Sequence, residues 1–134
     1  MLDKIERLHF HFIVNHLEKA ISKSEINEKF VVYKGVEMFD GLNKYKKEKY
    51  VEDKAFSSFS VSKATAATYS GKNTKGEYIF FVLTLKPKDK VMYLDKEEGE
   101  WLVQKGSKYY VYDIAHLWNP KTKKNEIIYY LVLQ

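Results

Sequence analysis

Apolar positions recur at helical spacing at the start of the chain. Leu2, Ile5, Leu8, Phe12, Ile13, Leu17, Ala20 and Ile21 fall three to four apart, with charges mostly between them. This predicts an amphipathic helix over 2–21, packed on the body of the domain. The largely polar stretch from Ser22 to Glu28 ends it. Phe30-Val31-Val32-Tyr33 is β-branched and aromatic and predicts a strand, with Gly35 just beyond, where the backbone can turn or let a ligand approach. Residues 44–50 are basic with interleaved tyrosines and are expected to be exposed. Phe56 to Val61 alternates Phe with Ser and predicts another strand. Ser62 then N-caps a short helix through Ala64, Ala66, Ala67 and Tyr69. Tyr78 to Leu85 is nearly continuous in apolar residues, as a strand buried on both faces would be. Pro87 ends it, and a loop is expected through Asp95. Strands are predicted over Glu100–Val103, Lys108–Ile114 and Glu126–Leu133. The order is helix, strands, helix, strands: an α+β domain with a mixed sheet rather than alternating βαβ units.

Length and composition narrow this further. The 134 residues fit one domain, 1–134, and the 45% hydrophobic content with only eight Gly and Pro is globular. The net charge of +5 favours acidic or phosphate-bearing partners. The absence of cysteine excludes disulfides and thiolate chemistry. No apolar run reaches a membrane span, so no membrane association is expected. The charged N-terminus lacks the apolar core of a signal peptide, so the expected place of action is the cytoplasm, or a target cell after delivery. His9, His11 and His16 lack an acidic companion at ligand spacing, and no metal is expected.

Three segments go beyond a generic α+β domain: Tyr33-Lys34-Gly35, then Phe56-Ser57-Ser58-Phe59-Ser60, then Glu98-Gly99-Glu100-Trp101-Leu102-Val103 with Gly106-Ser107-Lys108-Tyr109. In this order they resemble the ADP-ribosyltransferase exoenzyme family, that of the toxin and phage mono-ADP-ribosyltransferases. The family carries Tyr-Arg-Gly, an aromatic before Ser-Thr-Ser, and Glu-x-Glu before Gly-Thr/Ser-Lys-aromatic. Ile13 to Leu17 is similar to its N-terminal helix segment, so the resemblance covers roughly residues 12 to 133.

The resemblance implies a mixed two-sheet fold with an N-terminal helix and an NAD cleft between the sheets. It implies a monomeric effector enzyme that takes NAD as co-substrate, releases nicotinamide and transfers ADP-ribose to a protein target. Glu98, as the first carboxylate of Glu-x-Glu, resembles the arginine-modifying branch, since a guanidinium matches a carboxylate fork. Glu100 would stabilise the ribosyl cation and hold the ribose, while Glu98 prepares the acceptor. In a strand the two share a face. Ser58 would fix Glu100, Ser60 and Gly35 would line the NAD site, Lys34 would meet the diphosphate, and Tyr93 in the loop Lys86 to Glu97 would recognise the target. Two positions depart from the pattern. Lys34 stands for Arg and offers a point charge without a fork, and no arginine follows Arg7. Phe59 stands for the middle Thr and faces away from Ser58 and Ser60. Two other readings remain: a catalytically silent NAD- or partner-binding module of the same fold, and a basic protein that binds or modifies nucleic acid through residues 44–50.

Overall fold

The computed structural model describes residues 26, 28–68, 76–95 and 99–134. The expected helix over 2–21, together with Tyr69 and Glu98, lies outside the described residues. Eight strands are formed: β1 (Phe30–Val36), β2 (Lys49–Asp53), β3 (Ser57–Ser60), β4 (Tyr78–Leu85), β5 (Val91–Asp95), β6 (Glu100–Val103), β7 (Ser107–Asn119) and β8 (Lys124–Leu133). A 3-10 turn spans Asp40–Lys44, and α1 (Lys63–Ala67) is the one α-helix among the described residues. Its start follows the reading of Ser62, whose side chain accepts a hydrogen bond from the Thr65 N–H.

The strands form one mixed sheet in the order β2-β7-β8-β4-β1-β3-β6-β5. β4 and β8 run parallel, and every other pair is antiparallel. The expected division into two sheets is therefore corrected to a continuous sheet, although its continuity is slender at one place. β1 and β4 share seven registered pairs, whereas β1 and β3 share only Tyr33↔Ser60.

The sheet curls at that junction. Phe59 of β3 lies 6.4 Å, centroid to centroid, from Tyr109 of β7, although three strands separate them in sheet order. Phe30 of β1 and Trp101 of β6 likewise stand 5.1 Å apart. The β3-β6-β5 portion thus folds over the rest and encloses the main core. Val32, Phe59, Leu83, Val91, Val103, Tyr109, Val111 and Leu131 all have at most 1% of their surface exposed there. Removing such side chains from water stabilises the fold by roughly 1.5–3 kcal/mol each.

The apolar run of β4 is explained by this arrangement. Ile79, Phe81, Leu83 and Leu85 enter the main core, while Phe80 and Val82 point to the opposite face and join Ala66 of α1 and Ile128. A strand with helix and core on its two sides has no solvated face to mark with polar residues.

Three expectations about boundaries are corrected. Residues 91–95, expected as loop, form β5. Part of the basic run, with Val51 to Asp53, forms β2. β7 extends five residues beyond Ile114, to Asn119. β2 and β5 are the edges of the sheet.

Candidate active site

The site sits on the outer face of the β1–β3–β6 junction. There a cavity of about 340 Å³ is lined by Tyr33, Lys34 and Gly35 of β1, Ser58, Phe59 and Ser60 of β3, Thr65 and Ala66 of α1, and Glu100 of β6. Its volume lies in the range of small-ligand sites.

β-sheet register brings the polar groups together. Ser60 is directly opposite Glu100, and Ser58 is opposite Leu102. Glu100 and Ser58 are therefore diagonal neighbours on one face, within side-chain reach. The Ser58 hydroxyl donates a hydrogen bond to Glu100 Oε1. Ser60 Oγ accepts from the Ser62 N–H at 3.1 Å, so the same strand also fixes the entry into α1. Glu100 is neither buried nor free to swing: it is half-buried and held by Ser58.

Alternation along β3 sends Ser57 and Phe59 the other way. Phe59, with 1% of its surface exposed, belongs to the main core. Lys34 follows it through the junction. Its ammonium donates to Ser57 Oγ at 2.5 Å and lies 5.8 Å from the centre of the Phe59 ring. So Lys34 borders the cavity while its charge rests on the far side of β3. Burial pushes its pKa down, and the nearby Asp53 carboxylate partly restores it. Beneath this pair the Tyr109 hydroxyl is buried beside Ser57.

Gly99 places Glu100. Its φ of +58° is a conformation that side-chain-bearing residues rarely adopt, and a Cβ there would meet Val61 Cγ2 at 2.2 Å. The close approach is locked by the Val61 N–H donating to the Gly99 carbonyl at 2.9 Å. This glycine, the middle residue of Glu98-Gly99-Glu100, carries a function the motif reading left unassigned. Thr65 and Ala66 of the cavity wall were not named as site residues, although they fall in the segment from Ser60 to Gly76 that the resemblance implies for the phosphate-nicotinamide loop.

The helix wall is anchored from behind. Glu126 of β8, 5% exposed, accepts from Lys63 Nζ at 2.7 Å and from Asn119 Nδ2 at 3.2 Å. Lys63 also lies 5.1 Å from the centre of the Phe80 ring. Tyr93, expected in a loop, sits on edge strand β5 with 42% of its surface exposed and its ring 4.9 Å from that of Trp101. Groups of three or more metal-ligating side chains are absent among the described residues. None of the described helices is long and apolar enough to cross a membrane.

Solved structures share this fold. C3larvin toxin, an ADP-ribosyltransferase from Paenibacillus larvae, superposes with a TM-score of 0.69 at 16% identity, covering 100% of this chain and 81% of that one. The chain has the ADP-ribosyltransferase fold. C3stau2 from S. aureus, solved with NAD, shares the fold with a TM-score of 0.70 at 17% identity over 95% of this chain and 72% of its own. The ADP-ribosylating toxin BECa of C. perfringens, solved with NADH, gives 0.71 at 17% identity; this chain spans 100% of itself but 37% of BECa. No protein-family model matches the chain, and no curated protein matches it. Within this fold, the cavity at the β1–β3–β6 junction is the place where Glu100, Ser58 and Ser60 converge.

Proposed function

We propose that this chain is a mono-ADP-ribosyltransferase that takes NAD as co-substrate, releases nicotinamide and transfers ADP-ribose to a protein, with arginine as the acceptor side chain. The observation that carries the reading is Glu100, held by Ser58 at the wall of a cavity in a fold shared with ADP-ribosyltransferase toxins, two of which were solved with NAD or NADH.

The cavity suits the nicotinamide–ribose end of the dinucleotide. Hydroxyls of Ser58 and Ser60 and one carboxylate meet a polyhydroxylated sugar, and the Tyr33 ring offers an apolar wall to a planar ring. As the bond from ribose C1′ to the nicotinamide nitrogen breaks, nicotinamide leaves with the electron pair and positive charge grows on the sugar. Glu100, fixed in advance, stabilises that charge without reorganising. Ser58 limits its rotamers. Glu98, next but one along the chain, orients the acceptor guanidinium and takes the proton released when its nitrogen bonds to C1′. Tyr93, exposed on β5 beside β6, recognises the protein target in this reading, which its exposure supports.

Lys34 enters this reading in two states. Resting on Ser57, it ties β1 to β3 behind the cavity. To meet a diphosphate it must leave Ser57 and turn through the junction, and the diphosphate would then stabilise the charge that burial disfavours.

The test is incubation with NAD labelled on the adenylate, with and without arginine-bearing acceptors and cell lysate. Wild type should release nicotinamide and label a protein, and Glu100→Ala should do neither. Label on nucleic acid instead would move the target class. Turnover retained by Glu100→Ala would end the assignment, and NAD binding by calorimetry without turnover would mark a silent module.

A further inference from the structure

A second surface, at the other end of β6 from Glu100, has a different chemistry. An open depression of about 560 Å³ is lined by Lys88, Lys90, Lys105 and Lys108, together with Gln104 and Ser107. All four lysines are exposed. The carboxylate in its wall, Asp89, is already neutralised by Lys86 at 2.9 Å. Four lysines around one hollow outnumber its acids, which are Asp89, paired with Lys86, and Glu52, whose Oε1 would stand 3.9 Å from a Cβ at Gly106, and leave a net positive concavity, which concentrates field and draws polyanions.

The same face continues into aromatic rings. Lys108 and Tyr110 point to one side of β7, two positions apart. Tyr110 lies opposite Tyr50 of β2, their rings 4.9 Å apart, and Tyr50 has 59% of its surface exposed. Tyr112, at a bulge in β7 and 40% exposed, contacts the Tyr130 ring at 5.8 Å on this same side. Glu52, opposite Lys108, is the carboxylate that shares this side of β2 with Tyr50.

A ring this exposed loses apolar burial, and a pair of them beside a lysine-lined hollow has a specific match. We propose that the Tyr50–Tyr110 edge and the lysine hollow together bind single-stranded nucleic acid, with bases stacked on the tyrosines and phosphates over Lys88, Lys90, Lys105 and Lys108. An acidic polypeptide would satisfy the lysines and leave the rings unused. A duplex would keep its bases stacked within itself and could not use them either. Base–aromatic stacking joined to a basic groove is the common physical basis of sequence-tolerant single-strand binding.

The surface does not use the groups at the cavity, so it stands or falls independently of the NAD reading. The experiment is fluorescence anisotropy with a labelled oligothymidylate of roughly 12 nucleotides, a length suited to one small domain, on wild type and variants whose melting curves match wild type. Wild type should bind saturably at low salt. The slope of log affinity against log salt should be about −2 to −3, from about −0.7 per lysine–phosphate contact. Lys90→Gln/Lys105→Gln/Lys108→Gln should lose at least about tenfold in affinity and bring the slope close to −1 or shallower. Tyr50→Ala, an exposed edge position, should weaken binding about fivefold or more with the slope unchanged. Nicotinamide release should be the same in all of them. No saturable binding by wild type would overturn the proposal. So would oligothymidylate affinity unchanged by the triple variant or by Tyr50→Ala, or equal or tighter binding of a matched duplex or of polyglutamate.

Discussion

Ser58 and Glu100 are joined diagonally across the β3–β6 ladder, with the serine hydroxyl donating to Glu100 Oε1. The bond ties the carboxylate to the strand pair rather than to a loop. Its orientation therefore follows the sheet. Glu100→Gln, which keeps the shape and removes the charge, should lower nicotinamide release by about 10³-fold, the scale of losing a preorganised electrostatic contact in a transition state. Its melting temperature should stay within a degree or two. Ser58→Ala should cost less, about tenfold, because Glu100 keeps its charge and loses only one neutral-donor bond. Comparing the two rate losses checks the order. A Ser58→Ala enzyme as slow as Glu100→Gln would show that the serine does more than orient.

Gly99→Ala should damage both fold and site. The new Cβ must clear Val61 in a backbone conformation it disfavours. Strain of this kind costs about 1–3 kcal/mol. Urea titration should show that loss, and nicotinamide release should fall further than the stability loss alone explains, because β6 begins at the next residue.

Lys63→Met should destabilise the protein by about 3 kcal/mol, since among the described residues it leaves the buried Glu126 carboxylate with Asn119 alone for support. The double change Lys63→Met/Glu126→Gln should recover most of that. A double-mutant cycle by chemical denaturation reads the coupling.

Stability should fall on the alkaline side. Burial pushes the Tyr45 phenol up to about 12 from 10.0, with Asp53 adding to the shift, and Tyr109 is pushed up in the same direction by burial. Between those values the folded chain keeps a proton that the unfolded chain releases, so raising pH favours unfolding. Their contribution is intact below about pH 10 and is lost as pH climbs toward 12. Lys34 works the opposite way: its lowered pKa makes folding less costly as pH rises toward 10.5. Tyr45→Phe should flatten the alkaline loss, and Lys34→Met should flatten the rise that precedes it. Circular dichroism across pH 8–12, on wild type and each variant, distinguishes the two.

The parts of the fold that were legible are those whose patterns come from burial. β4 was readable because both of its faces are covered, and α1 because Ser62 caps it. β2 and β5 were not. Each lies at a sheet edge, and each sends a single residue wholly into the core, Val51 and Val91, so no alternation accumulates. The far end of β7 was hidden by Leu117 and Trp118, which remain exposed on a long strand. At the candidate site, the meeting of Ser58, Ser60 and Glu100 was legible because a motif names residue types at a spacing, and strand geometry converts spacing into a shared face. The same geometry sets Lys34 apart from them: it lies between Tyr33 and Gly35 and so points through the sheet to Ser57. A motif read as a string does not carry that direction. Gly99 was passed over as the unnamed middle of its motif, since only the approach of Val61 reveals what it does.

The single pair Tyr33↔Ser60 has a consequence for how a substrate enters. Tyr33 and Gly35 belong to one flap of the curled sheet, and Ser58, Ser60 and Glu100 to the other. With one rung joining the flaps, the seam behaves like the spine of a book. The pages are stiff, each laddered to its neighbours, while the width between them is set by side chains: Lys34 reaching to Ser57 behind, and whatever lies in the cavity in front. A ligand spanning the opening would act as a clasp, and amide protons along the spine, rather than those on the pages, are where its arrival would be felt first.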